Sequence, residues 1–179
     1  MTATLVHGDA QMQTLHPRIR TALISVNPTS KNPAWHGAPT AIGVLRGISP
    51  AVAVWRPYPG CNNIREIALH IAFYENSIAG RLSGEKVSLG LKQWKSGWVV
   101  RLDTVEGQQW KAEVEIVKVA HQRLIEALTS LNPDLLDQPG GAETTRPLIE
   151  YIHGVAEHSM LHAAQMDMLK SMAKHAGVE

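Results

Sequence analysis

Apolar residues recur at helical spacing in four long segments of the chain. In the first segment, Leu15, Ile19 and Leu23 are each four residues apart, so their side chains would line one face of a helix. Similar stripes predict four long helices and two short ones, over residues 12–25, 39–46, 51–55, 63–82, 103–131 and 147–175. No segment alternates apolar and polar residues convincingly enough to predict a strand.

Residues with preferences for helix ends support these boundaries. Asn63 precedes the second long helix and Glu66 follows three residues later, which is the sequence of a capping box. Gly84 lies just beyond that helix, and Pro147 suits the first turn of the fourth long helix. The segment 85–107 is rich in Gly, Lys and Trp and lacks sustained periodicity, so we predict a long ordered loop there.

The architecture predicted from these segments is all-α. Four long helices with no strand favour an antiparallel four-helix bundle, with the long loop between its second and third long helices. The chain has 179 residues and no internal repeat, which is near the usual size of one domain. We therefore expect a single domain over residues 1–179, with its core at about 12–175.

Charge and composition restrict the partners and the location. The 17 basic and 16 acidic side chains nearly cancel, and no run of Lys or Arg forms the stripe that binds a phosphate backbone. Nucleic acid is therefore not an expected partner. No stretch is long enough to span a bilayer, and residues 1–20 lack the apolar segment of a signal peptide. Because Cys61 is the only cysteine, the prediction is a reducing, cytoplasmic location.

The candidate chemistry lies in a pair of histidines on the fourth predicted long helix. His158 and His162 are four residues apart, so their rings would project from the same helix face one turn apart. On a helical wheel both lie near Val155, within the apolar stripe, whereas His153 lies on the far side. Two adjacent imidazoles are costly to bury without a hydrogen bond or a ligand, and one metal ion would satisfy both.

A third histidine, His70, lies on the second long helix beside the apolar stripe of Ile67 and Ile71. An inward histidine is more often a hydrogen-bonded core residue than a ligand, so both interpretations stay open for it. With His158 and His162 it would supply three imidazoles, which suit zinc, nickel, cobalt or copper better than calcium or magnesium. Three protein ligands also leave coordination positions for water or substrate, as catalytic sites do.

Three stretches of the chain, in this order, resemble the DinB-like family and the related YfiT-type thiol transferases: AWHGAPTAIGVLRGI, PGCNNIREIALHIAFYE and AEHSMLHAAQMDML. The third predicted long helix, which contains a tryptophan, lies between the second and the third of these stretches. The likeness covers residues 34–169, and most of it is a diffuse helix pattern. Its specific part is one histidine on the second long helix followed by HxxxHxxQ on the fourth.

The resemblance implies a four-helix bundle in which His70, His158 and His162 bind one divalent transition metal, zinc or nickel. Members of the family are commonly dimeric, which implies a homodimer here. Some resemble enzymes that transfer a low-molecular-weight thiol such as bacillithiol or mycothiol, or act as thiol-dependent isomerases, and many have no established reaction. A small-molecule substrate and a low-molecular-weight thiol cofactor are therefore what the resemblance implies for this chain.

Four polar residues are weaker candidates for catalytic roles: Glu66, Tyr74, His121 and Gln165. Gln165 completes the HxxxHxxQ motif and could orient a ligand ring or a bound water, although a plain helix-face glutamine is an equal alternative. Tyr74 lies one turn after His70 and could offer a hydroxyl near the metal, but tyrosine at a core edge is commoner. Tryptophans of the loops could wall a pocket; these are Trp35, Trp55, Trp94 and Trp98.

Glu66 and His121 each have a structural alternative to a chemical role. Glu66 lies one turn before His70 and could serve as a general base, but the capping box explains it without chemistry. His121 lies on the apolar face of the third long helix, close to Val117. It is a candidate fourth ligand or proton shuttle, and a hydrogen-bonded core histidine is the simpler interpretation.

The leading functional interpretation is a metal-dependent enzyme. Its ion would act as a Lewis acid that lowers the pKa of a bound thiol or water, so that an anionic nucleophile exists at neutral pH. A thiol nucleophile predicts a thiol S-transferase, and water predicts a hydrolase. The alternative from another class is a non-enzymatic metal-binding stress-response module. A fourth protein ligand would favour that module, and an open coordination position would favour an enzyme.

Overall fold

The fold is all-α, as the sequence predicts. The computed structural model describes residues 9–28, 37, 39–86, 88–90, 97–99, 101–141 and 144–179. Within these ranges there is no β-strand, and the helices are α1 (Asp9–Thr14), α2 (Pro17–Val26), α3 (Ala41–Val44), α4 (Pro50–Val54), α5 (Ile64–Ser83), α6 (Gly107–Thr129) and α7 (Leu148–His175). A 3-10 turn, Pro133–Leu135, lies between α6 and α7. Trp35, Trp94 and the start of the first family-like stretch lie outside the described residues.

The second predicted long helix is α5, and capping residues set both of its ends. Asn63 Oδ1 accepts a hydrogen bond from the Glu66 N–H at 2.9 Å, and the Glu66 carboxylate accepts one from the Asn63 N–H at 3.2 Å. The predicted capping box is therefore confirmed. At the other end Gly84 adopts a left-handed conformation with φ 77°, which glycine tolerates better than other residues.

The first predicted helix, over residues 12–25, is broken in the structure. It becomes two helices, α1 and α2, separated at Leu15 and His16. Pro17 occupies the first turn of α2, and a residue that precedes proline avoids the helical region. His16 accordingly has φ −53° and ψ 136°. The prediction was wrong here because the apolar periodicity continues across Pro17 and conceals the break.

The third predicted long helix starts later than expected, at Gly107 instead of Asp103. The residues just before α6 use their backbone groups to bind α5. The Leu102 N–H donates to the Glu66 carboxylate at 2.7 Å, and the Leu102 carbonyl accepts from the Asn63 side-chain amide at 2.7 Å. Because the Leu102 carbonyl is engaged in this way, it is not free to accept a hydrogen bond within an earlier helical turn, and no side-chain hydrogen bond caps the start of α6.

Four helices pack on one another to form the core. α5 packs against α6 and α7, and α2 packs against the same two helices. One buried apolar cluster joins α5, α6 and α7 to the short helices α3 and α4, and a second cluster joins α2 to α6 and α7. The antiparallel direction of the helices stays a prediction. Within the described ranges, none of the helices has the length and apolarity needed to cross a membrane.

Candidate metal centre

The three predicted histidines lie together where α5 packs against α7. His70 is a buried residue of α5, and His158 and His162 lie one turn apart on α7. One ring nitrogen from each lies within 4.8 Å of the others. In the part of the chain that the structure describes, this is the group of His, Cys, Asp and Glu side chains that is close enough to share a metal ion.

The spacing of the nitrogens fits a divalent metal ion. In a tetrahedral site with metal–nitrogen bonds of about 2.0–2.1 Å, two bound nitrogens lie about 3.3 Å apart. The Nε2 atoms of His70 and His158 are 3.1 Å apart, close to that separation. The ring of His162 lies 4.4 Å from the ring of His158 and 4.9 Å from that of His70, centroid to centroid. Three imidazoles that converge in this way suit a transition metal.

His70 and His162 each use Nδ1 in a hydrogen bond, which leaves the other ring nitrogen free to bind a metal. The backbone carbonyl of Gly97 lies 2.7 Å from His70 Nδ1. A carbonyl only accepts, so Nδ1 carries the proton and the Nε2 lone pair points towards His158. His162 Nδ1 donates in the same way to the Gln165 side-chain oxygen at 2.7 Å. Both contacts are of the kind that orients metal-binding histidines.

In the described part of the chain, the ring of His158 is the one of the three that has a buried nitrogen left unpaired. Its Nδ1 is buried and has no hydrogen-bond partner among the described residues. Its Nε2 faces the unprotonated Nε2 of His70, so either a proton on His158 or a shared cation must occupy that contact. A cation accounts for the convergence of His162 as well, which a hydrogen bond between His70 and His158 does not.

Burial keeps all three imidazoles in the neutral form that binds metals. It lowers the pKa of His70 and of His162, although the Gly97 carbonyl and Gln165 oppose it. Burial, followed by the charges of His162 and His70, lowers the pKa of His158 to about 4. Because metal ions compete with protons for these nitrogens, neutral rings at physiological pH favour metal binding.

The metal-free protein should lose stability as the pH falls from 6.5 towards 4.5. In this range an unfolded histidine, with its ordinary pKa of 6.5, takes up a proton that the folded His158 does not. The unfolded state therefore binds more protons, and the free energy of unfolding falls with pH. Glu66, whose pKa is lowered from 4.5, adds to the loss only below that window.

Chemical denaturation of the metal-free protein at several pH values measures this effect. His158→Gln should flatten part of the fall, because the variant removes the histidine with the most strongly lowered pKa. A free energy of unfolding that stays constant or rises between pH 6.5 and 4.5 would show that the three rings are not buried in the neutral form.

Two of the weaker candidates, Gln165 and Tyr74, do lie at the histidine group. Gln165 is bonded to His162, and the Tyr74 ring lies 4.9 Å from the ring of His70 and 4.6 Å from that of His158. Trp98, one of the loop tryptophans that could wall a pocket, also lies at the group. Its ring stacks on the His70 ring, with the two centroids 3.8 Å apart. Aromatic rings therefore cover part of the site.

Glu66 is engaged in structural contacts away from the histidine group. Its carboxylate pairs with Arg56 at 2.6 and 2.8 Å and accepts from the Leu102 N–H. Burial opposes its charge, but Arg56 and the backbone donors outweigh burial and lower its pKa. The contacts support the capping-box interpretation over that of a general base.

The structure places His121 with a buried carboxylate instead of with the other histidines. His121 Nδ1 donates to Glu75 at 3.1 Å, and the Ser159 hydroxyl donates to the same carboxylate at 2.8 Å. Burial disfavours the charged ring, but the charge of Glu75 and its hydrogen bond prevail and raise the pKa of His121. His121 is thus a hydrogen-bonded core residue, as the simpler interpretation held.

Sequence reasoning missed Glu75 and Gly97. The signal for Glu75 was available, because a carboxylate one residue after Tyr74 needs a partner if α5 buries that face. No local signal pointed to Gly97, whose carbonyl reaches His70 across 27 positions of the chain.

The family comparison agrees with this geometry. A sequence model of the DinB superfamily matches residues 39–166, so the chain belongs to the DinB superfamily. No curated protein matches the chain. Membership in this superfamily, together with the three-histidine group, fits a metal-binding protein.

Proposed function

We propose that this protein is a metal-dependent enzyme in which His70, His158 and His162 hold one divalent transition metal, zinc or nickel. The observation that carries the proposal is the convergence of three neutral imidazoles, of which two have their protons fixed on the nitrogen that points away. Calcium and magnesium prefer oxygen ligands, so this set of donors selects against them.

The surroundings of the histidines support an enzyme over a closed structural site. Structural zinc sites are usually completed by four protein ligands, whereas catalytic sites have three and an open position. In the described part of the chain no fourth ligating side chain joins the group. His121, the candidate for that place, is bound to Glu75, and Glu66, one turn before His70, is bound to Arg56.

The proposed chemistry is attack by a thiol or a water on a small electrophilic substrate. When bound, the ion would supply Lewis acidity, which lowers the pKa of the thiol or water. Gly97 and Gln165 would hold the protons of His70 and His162 on Nδ1, and Tyr74 and Trp98 would keep water from part of the site. From the family resemblance we further propose a thiol S-transferase that acts as a cytoplasmic homodimer.

Cobalt substitution separates the thiol from the water reaction. With Co²⁺ bound, addition of bacillithiol or mycothiol at neutral pH should produce a sulfur-to-metal charge-transfer absorption band, because a coordinating thiol is deprotonated. His70→Ala should abolish the band, whereas His153→Ala, which removes an exposed histidine of α7, should not.

Two results would count against the transferase. A titration without a band across several thiols, together with hydrolytic turnover that needs no added thiol, would support a hydrolase. No band and no turnover with any electrophile or ester would support the non-enzymatic metal-binding module.

A further inference from the structure

Three contacts join the segment Gly97–Trp98 of the long loop to the histidine group. The Gly97 carbonyl accepts from His70 Nδ1 at 2.7 Å. The Trp98 ring stacks on the His70 ring, with centroids 3.8 Å apart and planes 11° from parallel. The same Trp98 ring meets His162 edge-on at 5.6 Å. One short segment outside the helices thus contacts a histidine on α5 and a histidine on α7.

Gly97 can make its contact only because it has no side chain. It is buried with φ 73°, a left-handed conformation that strains other residues. A Cβ at this position would lie 2.5 Å from Tyr74 Cε2 and 3.2 Å from Phe73 Cδ1. A larger residue would therefore have to displace the Tyr74 and Phe73 rings, which lie beside the histidine group, or push the backbone and its carbonyl away from α5.

The Gly97 carbonyl determines which nitrogen of His70 is free to bind a metal and in which direction that nitrogen points. While it accepts from Nδ1, it fixes both the tautomer and the rotation of the ring, so that Nε2 faces His158. Stacking by Trp98 restricts the same ring from its face. Without these contacts His70 could rotate or carry its proton on Nε2, and either change would remove a ligand.

We propose that Gly97 and Trp98 are positioning residues of the metal centre, and that metal binding and docking of this segment on α5 stabilise each other. The inference rests on the proposed function, since it assumes that the three histidines hold an ion. Coupling of this kind is reciprocal: whatever loosens the segment weakens metal binding, and the metal in turn orders the segment.

Two glycine variants of the same loop test whether Gly97 is a positioning residue of the metal centre. Gly97→Ala should weaken Co²⁺ binding about 10- to 100-fold, the usual effect of losing a partner that orients a ligand. Gly90→Ala is the matched control, because Gly90 also has a positive φ of 67° but a Cβ there meets no atom of the described residues within 4 Å. Its affinity for Co²⁺ should equal that of the wild type.

Hydrogen exchange tests whether metal binding stabilises the docking of this segment on α5. Binding of Zn²⁺ to the wild-type protein should slow exchange in the peptide that contains residues 97–99. In His162→Ala the same addition of Zn²⁺ should leave that peptide unchanged. If Gly97 mattered only for packing, addition of Zn²⁺ would not slow exchange in this peptide.

The outcomes separate this inference from the proposed function. If the wild type binds no Co²⁺, the proposed metal site is wrong. If the wild type binds and Gly97→Ala binds equally well, or the peptide is not protected, the metal site stands and this inference is overturned. Should Gly97→Ala fail to fold by circular dichroism, Trp98→Leu decides: it should weaken binding about 2- to 12-fold, the equivalent of one aromatic contact, and unchanged binding overturns the inference.

Discussion

His162→Ala should lower the affinity of the protein for Co²⁺ or Zn²⁺ by at least about 100-fold, beyond the loss expected for an outer partner of a ligand. The variant removes one of three nitrogens and leaves the other two unable to enclose an ion. The helical circular-dichroism signal should remain, because the helices are held by the apolar clusters on both sides of the site. Isothermal titration of the untagged protein measures the affinity.

His153→Ala is the control for this experiment, since His153 is an exposed histidine of the same helix. It should bind the metal as the wild type does. If both variants bound equally well, His162 would not be a ligand. If His162→Ala unfolded at room temperature, the metal would be structural, which would favour the non-enzymatic module.

Glu75→Ala should lower the free energy of unfolding by about 3–5 kcal/mol, as is typical when one partner of a buried charged pair is removed. Glu75 is 1% exposed and accepts hydrogen bonds from His121 and Ser159, so it connects α5 to both α6 and α7. Its loss leaves the His121 ring buried without its partner. Denaturant titration of the metal-free protein measures the effect without a contribution from metal binding.

The effect of Glu75→Ala should also depend on pH. The pKa of His121 is raised in the folded protein, so the stability that the pair contributes is full below pH 6.5 and is lost as the pH rises through the raised pKa. The difference between wild type and variant should therefore be larger at pH 6 than at pH 9. Asp137→Ala, which breaks an exposed ion pair with Arg18, should change stability little at either pH. An equally small effect of Glu75→Ala would contradict this account.

Most of the helices could be predicted from the sequence, because their signals are local. Apolar periodicity locates α5, α6 and α7, and the capping box at Asn63 sets the start of α5 to within one residue. The errors occurred where local patterns conflict or where distant contacts decide. The backbone restriction before Pro17 outweighs the stripe that crosses it, and the start of α6 is delayed because Leu102 binds α5.

The metal centre could be predicted only for the residues that lie on helices. His158 and His162 share a face by their spacing alone, and His70 faces inward beside Ile67 and Ile71. The contribution of the long loop could not be predicted, since it depends on where the chain returns to α5. The sequence indicates that Glu75 needs a partner if α5 buries it, but it does not indicate that this partner is His121, 46 positions away.

The most direct test of the central claim is X-ray absorption spectroscopy of the untagged protein loaded with Zn²⁺, combined with measurement of its metal content. The expected result is one zinc per chain, bound by three imidazole nitrogens at about 2.0–2.1 Å and by at least one ligand from solvent. A chain that retains no zinc would contradict it. So would equal binding by a variant in which His70, His158 and His162 are all replaced by alanine.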